Sequence, residues 1–286
     1  YQDGYSAQGM YDVLSVLKDQ ETYAKEVAKK RGQEPSTYHG VFATHPSNDK
    51  RLKEILEEVS NSYPKGSKKT FSNYLDKIDG MVYGDSQQSG VIRGNEFFHS
   101  ELDLYFSSPD DWGIINTPQS LMFTSPKGEA FLQVSVDDLN FRESPMSYMD
   151  RIDPNHSEGD DLMINGYEGY TALSNRSGRK VRLGVLFKQK RVYQFIGYIK
   201  TEPEKFNDFD PTFLKIINTF NELDERGELL SKPLAIQKYV VKEGDTYKKL
   251  AKKSNIPNDP EDQLRLLNGD YPEEELVVGQ TIKIVK

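Results

Sequence analysis

Lys180-Val181-Arg182-Leu183-Gly184-Val185-Leu186-Phe187, followed by Lys188-Gln189-Lys190 and then Arg191 to Lys200, is the stretch on which the fold turns. Val181, Leu183, Val185 and Phe187 alternate with Lys180, Arg182, Gly184 and Leu186, a period of two that puts alternate side chains on opposite faces of a strand. The polar run Lys188-Gln189-Lys190 reverses the chain, and Arg191 to Lys200 returns as the second arm of a hairpin. Upstream, Ala130, Leu132, Val134 and Val136 alternate in the same way with Glu129, Phe131, Gln133 and Ser135. These patterns predict an antiparallel sheet with one well-buried face across residues 91–200.

Working outward, Asp210-Pro211 reads as a helix start, with Asp210 as the N-cap and Pro211 at the first helical position. Phe213, Ile216, Ile217 and Phe220 supply that helix with a buried face. Helices flanking a mostly antiparallel sheet make an α+β fold. The order of the Trp112 segment, the strands, the hairpin and the closing helix is similar to that of PsbP-like domains.

Toward the N-terminus, residues 7–30 read as a helix with Met10, Val13, Leu14 and Leu17 at helical spacing, ended by Gly32 and Pro35. Asn48 to Ser60 reads as a second helix with Leu52, Ile55, Leu56 and Val59 on one face. Those apolar stripes need a partner surface, so some homodimerisation through residues 7–60 is expected. Residues 62–69 form a turn-rich basic linker, and Phe71, Tyr74, Leu75 and Ile78 mark a short helix beyond it. The expected division is 1–66 as a helical segment, 67–232 as the α+β domain and 233–286 as a small C-terminal module.

With 36% hydrophobic residues in 286, the chain can build ordinary cores, and no run approaches the roughly 20 apolar residues of a membrane span. A net charge of -8 and a pI near 5.2 argue against a nucleic-acid partner. The absence of cysteine excludes thiolate catalysis and Cys-ligated zinc.

The C-terminal module carries Tyr239-Val240-Val241-Lys242-Glu243-Gly244-Asp245-Thr246, two short helical runs, Leu267-Asn268-Gly269, and Val278-Gly279-Gln280-Thr281-Ile282-Lys283-Ile284. In that order these motifs resemble a LysM module, a βααβ fold that binds N-acetylglucosamine-containing glycans. The resemblance implies Gly244, Asp245 and Thr246 in a first loop and Leu267, Asn268 and Gly269 in a second as glycan-binding candidates, with Tyr247 or Tyr271 offering a ring to a sugar. A Pro-rich acidic stretch from Ile256 to Asp262 and the run Pro272-Glu273-Glu274-Glu275 depart from that pattern.

A second resemblance lies in Asp3-Gly4-Tyr5-Ser6-Ala7-Gln8-Gly9-Met10, in Phe42-Ala43-Thr44-His45-Pro46-Ser47-Asn48-Asp49-Lys50-Arg51-Leu52, and in Ile78 to Asp85 and Gly90 to His99. These segments resemble the region of HtpX/BepA-like bacterial zinc metallopeptidases that lies beyond their HExxH helix. The resemblance implies a zinc-proximal role for His45, but the chain has no HExxH and no complete zinc site. With no initiator Met at its start, it is expected to be a piece of a longer protein. On this reading zinc belongs to the parent peptidase and no cofactor to this chain. Residues 1–66 are then a helical remnant of the catalytic domain, and the partners are the missing catalytic half and its protein substrates.

His39, His99 and His156 show no ligand spacing, and His99 reads as a structural hydrogen-bonding residue. The pairs Asp110-Asp111, Asp137-Asp138 and Asp160-Asp161 do not follow a calcium-loop spacing. The leading expectation is an accessory region of a periplasmic or cell-envelope metalloprotease, localising or docking substrates. The alternative is a non-enzymatic peptidoglycan-binding envelope protein acting through its last fifty residues.

Overall fold

The computed structural model describes residues 7–30, 73–140 and 142–286. The second expected helix, the basic linker, His39 and His45 lie outside the described residues. In chain order the elements are α1 (Ala7–Lys30), α2 (Tyr74–Ile78), β1 (Val82–Tyr83), β2 (Val91–Arg93), β3 (Glu96–His99), β4 (Leu104–Ser107), β5 (Gly113–Asn116), β6 (Leu121–Thr124) and β7 (Ala130–Asp138). Then follow α3 (Pro145–Ile152), β8 (Ser157–Ile164), β9 (Tyr167–Arg176), β10 (Arg179–Lys188), β11 (Arg191–Ile199), α4 (Phe206–Ile217), α5 (Glu225–Leu230), β12 (Leu234–Val240), α6 (Tyr247–Ala251), α7 (Pro260–Asn268) and β13 (Thr281–Val285). Contacts divide the chain into Gly84–Pro233 and a second unit formed by Tyr1–Tyr83 with Leu234–Lys286. The expected boundaries stood at 66/67 and 232/233; the contacts change over at 83/84 and 233/234.

The unit at 84–233 is α+β, built on a seven-stranded sheet ordered β5-β6-β7-β11-β10-β9-β8, with every neighbouring pair antiparallel. The β10–β11 hairpin pairs Lys188 with Arg191, leaving a two-residue turn in which Gln189 takes a φ of 58°. Lys188 stays in the strand, one residue later than the pattern predicts, because its side chain is anchored. It is 3% exposed, and its Nζ reaches the Asp103 carboxylate at 3.1 Å and the Leu102 carbonyl at 3.4 Å.

Both faces of this sheet are buried, which corrects the expectation of one. Val181, Leu183 and Val185 pack with Tyr170 and Ala172 against Tyr148 and Met149 of α3. The opposite face, where the alternation places Lys180, Arg182 and Gly184, contributes Leu186, Phe195 and Leu132 to a larger core with Phe213, Ile216 and Ile217 of α4. Charge survives there because it is paired: Arg182 donates to both oxygens of Asp210 at 2.6 and 2.7 Å. Removing one partner of such a pair typically costs ~3–5 kcal/mol. Gly197 on β11 has its own requirement, since a Cβ there would stand 2.6 Å from the Phe213 ring.

That ion pair also moves the helix start. Helix α4 opens at Phe206 after a turn at Pro203–Lys205, with Pro211 inside it, so Asp210 is not its N-cap. Its carboxylate is committed to Arg182 across the sheet instead. The small sheet β2-β3-β4 adds Phe97, Leu104 and Phe106 to the same core. Phe106 meets Phe123, Phe195 and Phe220 edge-on at 5.5–5.9 Å between ring centroids.

In the other unit, β12-α6-α7-β13 gives the expected βααβ order, extended by β1 into a three-stranded sheet β1-β12-β13. Residues 73–83 belong here: the Asp79 carboxylate accepts the Lys238 amide at 2.8 Å, and the Tyr83 hydroxyl donates to Gln263 at 2.8 Å. Tyr247, Leu250, Leu264, Ile282 and Val285 form the core of this unit. On α1, Leu14 is 1% exposed, whereas Val13, expected on the same buried stripe, is 56% exposed. No helix among the described residues is long and apolar enough to cross a membrane.

Candidate functional site

Between β12 and α6 the chain runs through Lys242-Glu243-Gly244-Asp245-Thr246 and is shaped by its own side chains. Asp245 Oδ2 accepts the Lys242 amide at 2.9 Å and the Tyr239 hydroxyl at 2.7 Å. The Lys242 amide, followed by the Tyr239 hydroxyl, holds this carboxyl below its ordinary 3.8. Thr246 caps α6, its Oγ1 accepting the Lys249 amide at 3.2 Å. Gly244 has a φ of 77° and is exposed, and the Lys249 ammonium donates to its carbonyl. The result is a rigid turn whose backbone lies at the surface.

The second loop begins where α7 ends. Gly269, at a φ of 81°, closes the helix in the left-handed conformation, and the Asp270 amide returns to the Arg265 carbonyl at 2.9 Å. Asn268 uses both ends of its side chain: Nδ2 donates to the Leu264 and Lys283 carbonyls, and Oδ1 accepts the Lys283 amide, each at 2.9 Å. Its role is to pin α7 to β13. Leu267 is half-buried against the module core.

Tyr247 ties the two loops together. Its hydroxyl donates to the Asp270 carboxylate, and the Arg265 guanidinium lies 4.8 Å from its ring centroid. Burial and the Asp270 contact push its hydroxyl pKa up, so it stays a neutral donor. Being 0% exposed, Tyr247 offers no face to a sugar, contrary to expectation. Arg265 also reaches Glu275 at 2.9 Å and Glu261 at 3.2 Å, drawing the acidic run that departs from the LysM pattern onto α7.

Tyr271, the other expected ring, is 8% exposed and covered by α1. Tyr23 meets it edge-on at 6.1 Å, and the Tyr271 hydroxyl donates to Glu26 Oε2 at 3.0 Å. Burial and Glu26 push that hydroxyl up to about 12. The candidate residues of both loops are therefore brought into one module. The reading of sequence missed Asp270, Arg265, Tyr239 and the α1 pair, whose partners are not legible from local spacing.

His99 and His156 each meet a neighbouring group within the fold. His99 Nδ1 accepts the Leu102 amide at 3.3 Å, and His156 Nε2 lies 2.9 Å from Asp150. No cluster of three or more His, Asp or Glu that would fit a zinc ion exists among the described residues.

The LysM domain family matches residues 239–285. That match covers the end of β12, α6, α7, β13 and both loops of the LysM module. No curated protein matches the chain at a significant level. Among solved structures, the cyanobacterial PsbP (CyanoP) of Synechocystis sp. PCC 6803 is similar at 10% identity and a TM-score of 0.36, covering 49% of this chain and 98% of that one. A Bacteroides thetaiotaomicron VPI-5482 protein is similar at 10% identity and a TM-score of 0.35, over 57% of this chain and 58% of that one. LpqN, described as involved in cell envelope biogenesis of Mycobacterium tuberculosis, is similar at 14% identity and a TM-score of 0.29, over 55% of this chain and 99% of that one.

Proposed function

We propose that this chain is a non-enzymatic protein of the bacterial cell envelope that binds N-acetylglucosamine-containing glycan, peptidoglycan foremost, through residues 239–285. The observation that carries the reading is the LysM match over a module whose two loops are joined by the Tyr247–Asp270 hydrogen bond. An acetamido group needs neutral donors and acceptors at fixed positions, and the exposed backbone at Gly244, next to the helix cap Thr246, is the candidate for them. The accessory-region reading, with a catalytic half as partner, rests on the resemblance at residues 3–10, 42–52, 78–85 and 90–99. The matched family is a binding module, and it favours the glycan reading.

Co-sedimentation of the full chain with purified peptidoglycan tests the proposal. Retention is expected, to be competed away by soluble N-acetylglucosamine oligomers and lost when residues 236–286 are deleted. Retention that survives the deletion sinks the assignment of binding to this module.

A further inference from the structure

We infer that α1 is a displaceable cover on the second loop of the LysM module, and that helix and glycan compete for the ring of Tyr271. The inference rests on the glycan reading and adds a control to it.

Helix α7 is reached by α1 at both of its ends. Near its C-terminal end, Val16 Cγ2 lies 3.7 Å from the point where a Cβ on Gly269 would stand. Near its N-terminal end, the Tyr23 hydroxyl donates to Asp259 at 3.2 Å. Between them, Tyr23 and Glu26 close over the ring and hydroxyl of Tyr271. Tyr271 is 8% exposed although residues 272–275 beside it are exposed. A sugar that reaches the open first loop finds the ring of the second already occupied.

The cover is lightly held. Among the described side chains of α1, only Leu14 is fully buried. The seam also gathers like charge: Asp19 on α1 lies near Glu274, and Glu26 on α1 adds to Asp259 and Glu261 around Asp262, with Lys18 and Lys30 offsetting them in part. The edge contact of Tyr23 with Tyr271, the exposed Tyr23–Asp259 bond and the part-buried Tyr271–Glu26 bond are each worth only about 1 kcal/mol. A helix held this way opens at a modest cost, and a ligand that binds only the open form pays for it in affinity. A cover closed in about nine molecules of ten weakens the apparent affinity about tenfold.

The test titrates the full chain, Tyr23→Ala and Glu26→Ala with a soluble N-acetylglucosamine hexamer by calorimetry, and follows hydrogen exchange of the α1 amides with and without it. Glu26 is exposed, so its variant remains informative should Tyr23→Ala fold poorly. Both variants are expected to bind on the order of threefold to tenfold more tightly than the parent chain. Exchange in α1 of the parent chain is expected to rise on adding the hexamer. Equal or weaker binding by the variants, with α1 exchange unchanged by ligand, overturns the cover and leaves the glycan reading standing. No binding by any of the three proteins overturns the glycan reading and the cover with it.

Discussion

The two loops of the LysM module use the same residue types to opposite effect. Gly244-Asp245 leads to Tyr247, and Gly269-Asp270 leads to Tyr271; both glycines sit at positive φ, and both aspartates accept a tyrosine hydroxyl. In the first loop the aspartate's partners, Tyr239 and Lys242, lie six and three residues away. In the second, the partner of Asp270 lies 23 residues away, and the Tyr271 hydroxyl is held by Glu26, 245 residues away. Both glycines are exposed, but the first loop is closed by near neighbours alone, whereas the distant partners of the second bury its tyrosine ring.

Breaking the second loop from inside has the largest expected effect on this contrast. Asn268→Ala removes three hydrogen bonds and leaves the Lys283 amide and carbonyl without that partner in a half-buried strand. Such losses typically cost about 2–4 kcal/mol in total, read as a lower denaturation midpoint of the module. An unchanged midpoint would show that α7 and β13 are held by apolar packing alone.

A smaller effect is expected at the first loop. Gly244→Val meets open space, the nearest atom being Lys249 Nζ at 3.8 Å, so its cost of about 1–2 kcal/mol is backbone strain at a φ of 77°. Peptidoglycan retention should fall with it, because the loop backbone must change conformation to relieve the strain. Full retention would place the glycan contacts elsewhere in the module.

The smallest effect, and the sharpest discriminator, is pH. Asp245 is held below 3.8, so its contribution to the first loop is present above that value and is lost as pH falls through its lowered pKa. Asp19 and Asp262 are raised above 3.8, first of all by burial, so ionising them favours release of α1. Docking of α1 is therefore expected to tighten as pH falls toward 3.8, while the first loop holds until below it. Hydrogen exchange corrected for intrinsic rates would show α1 protection rising over the same interval in which protection of residues 242–246 stays flat. Parallel changes in both segments would remove the distinction between them.

Much of this architecture was legible beforehand. The alternation at 130–136 and 180–187 located β7 and β10, and the hairpin turn was misplaced by one residue because Lys188 reads as polar until its partners in the Asp103 loop are known. Asp210-Pro211 looks like a helix start, and only the approach of Arg182 from β10 makes Asp210 an ion-pair partner inside α4. The LysM resemblance pointed to Gly244, Asp245 and Thr246, and in the structure they form a tight turn and a helix cap, chemistry that acts over three or four residues. Val13 was misassigned because helical spacing marks a face without saying what covers it.

By itself the sequence determined the antiparallel hairpin, since strand alternation and tight turns are set by neighbours in the chain, and its LysM-like motifs carried the βααβ order. Only the tertiary structure decided that both sheet faces are buried, that Tyr247 is a tie and not a platform, and that Tyr271 lies beneath α1. Those outcomes depend on partners 23 to 245 residues distant. Contacts at such separations form only when the whole chain closes, and no local pattern encodes them.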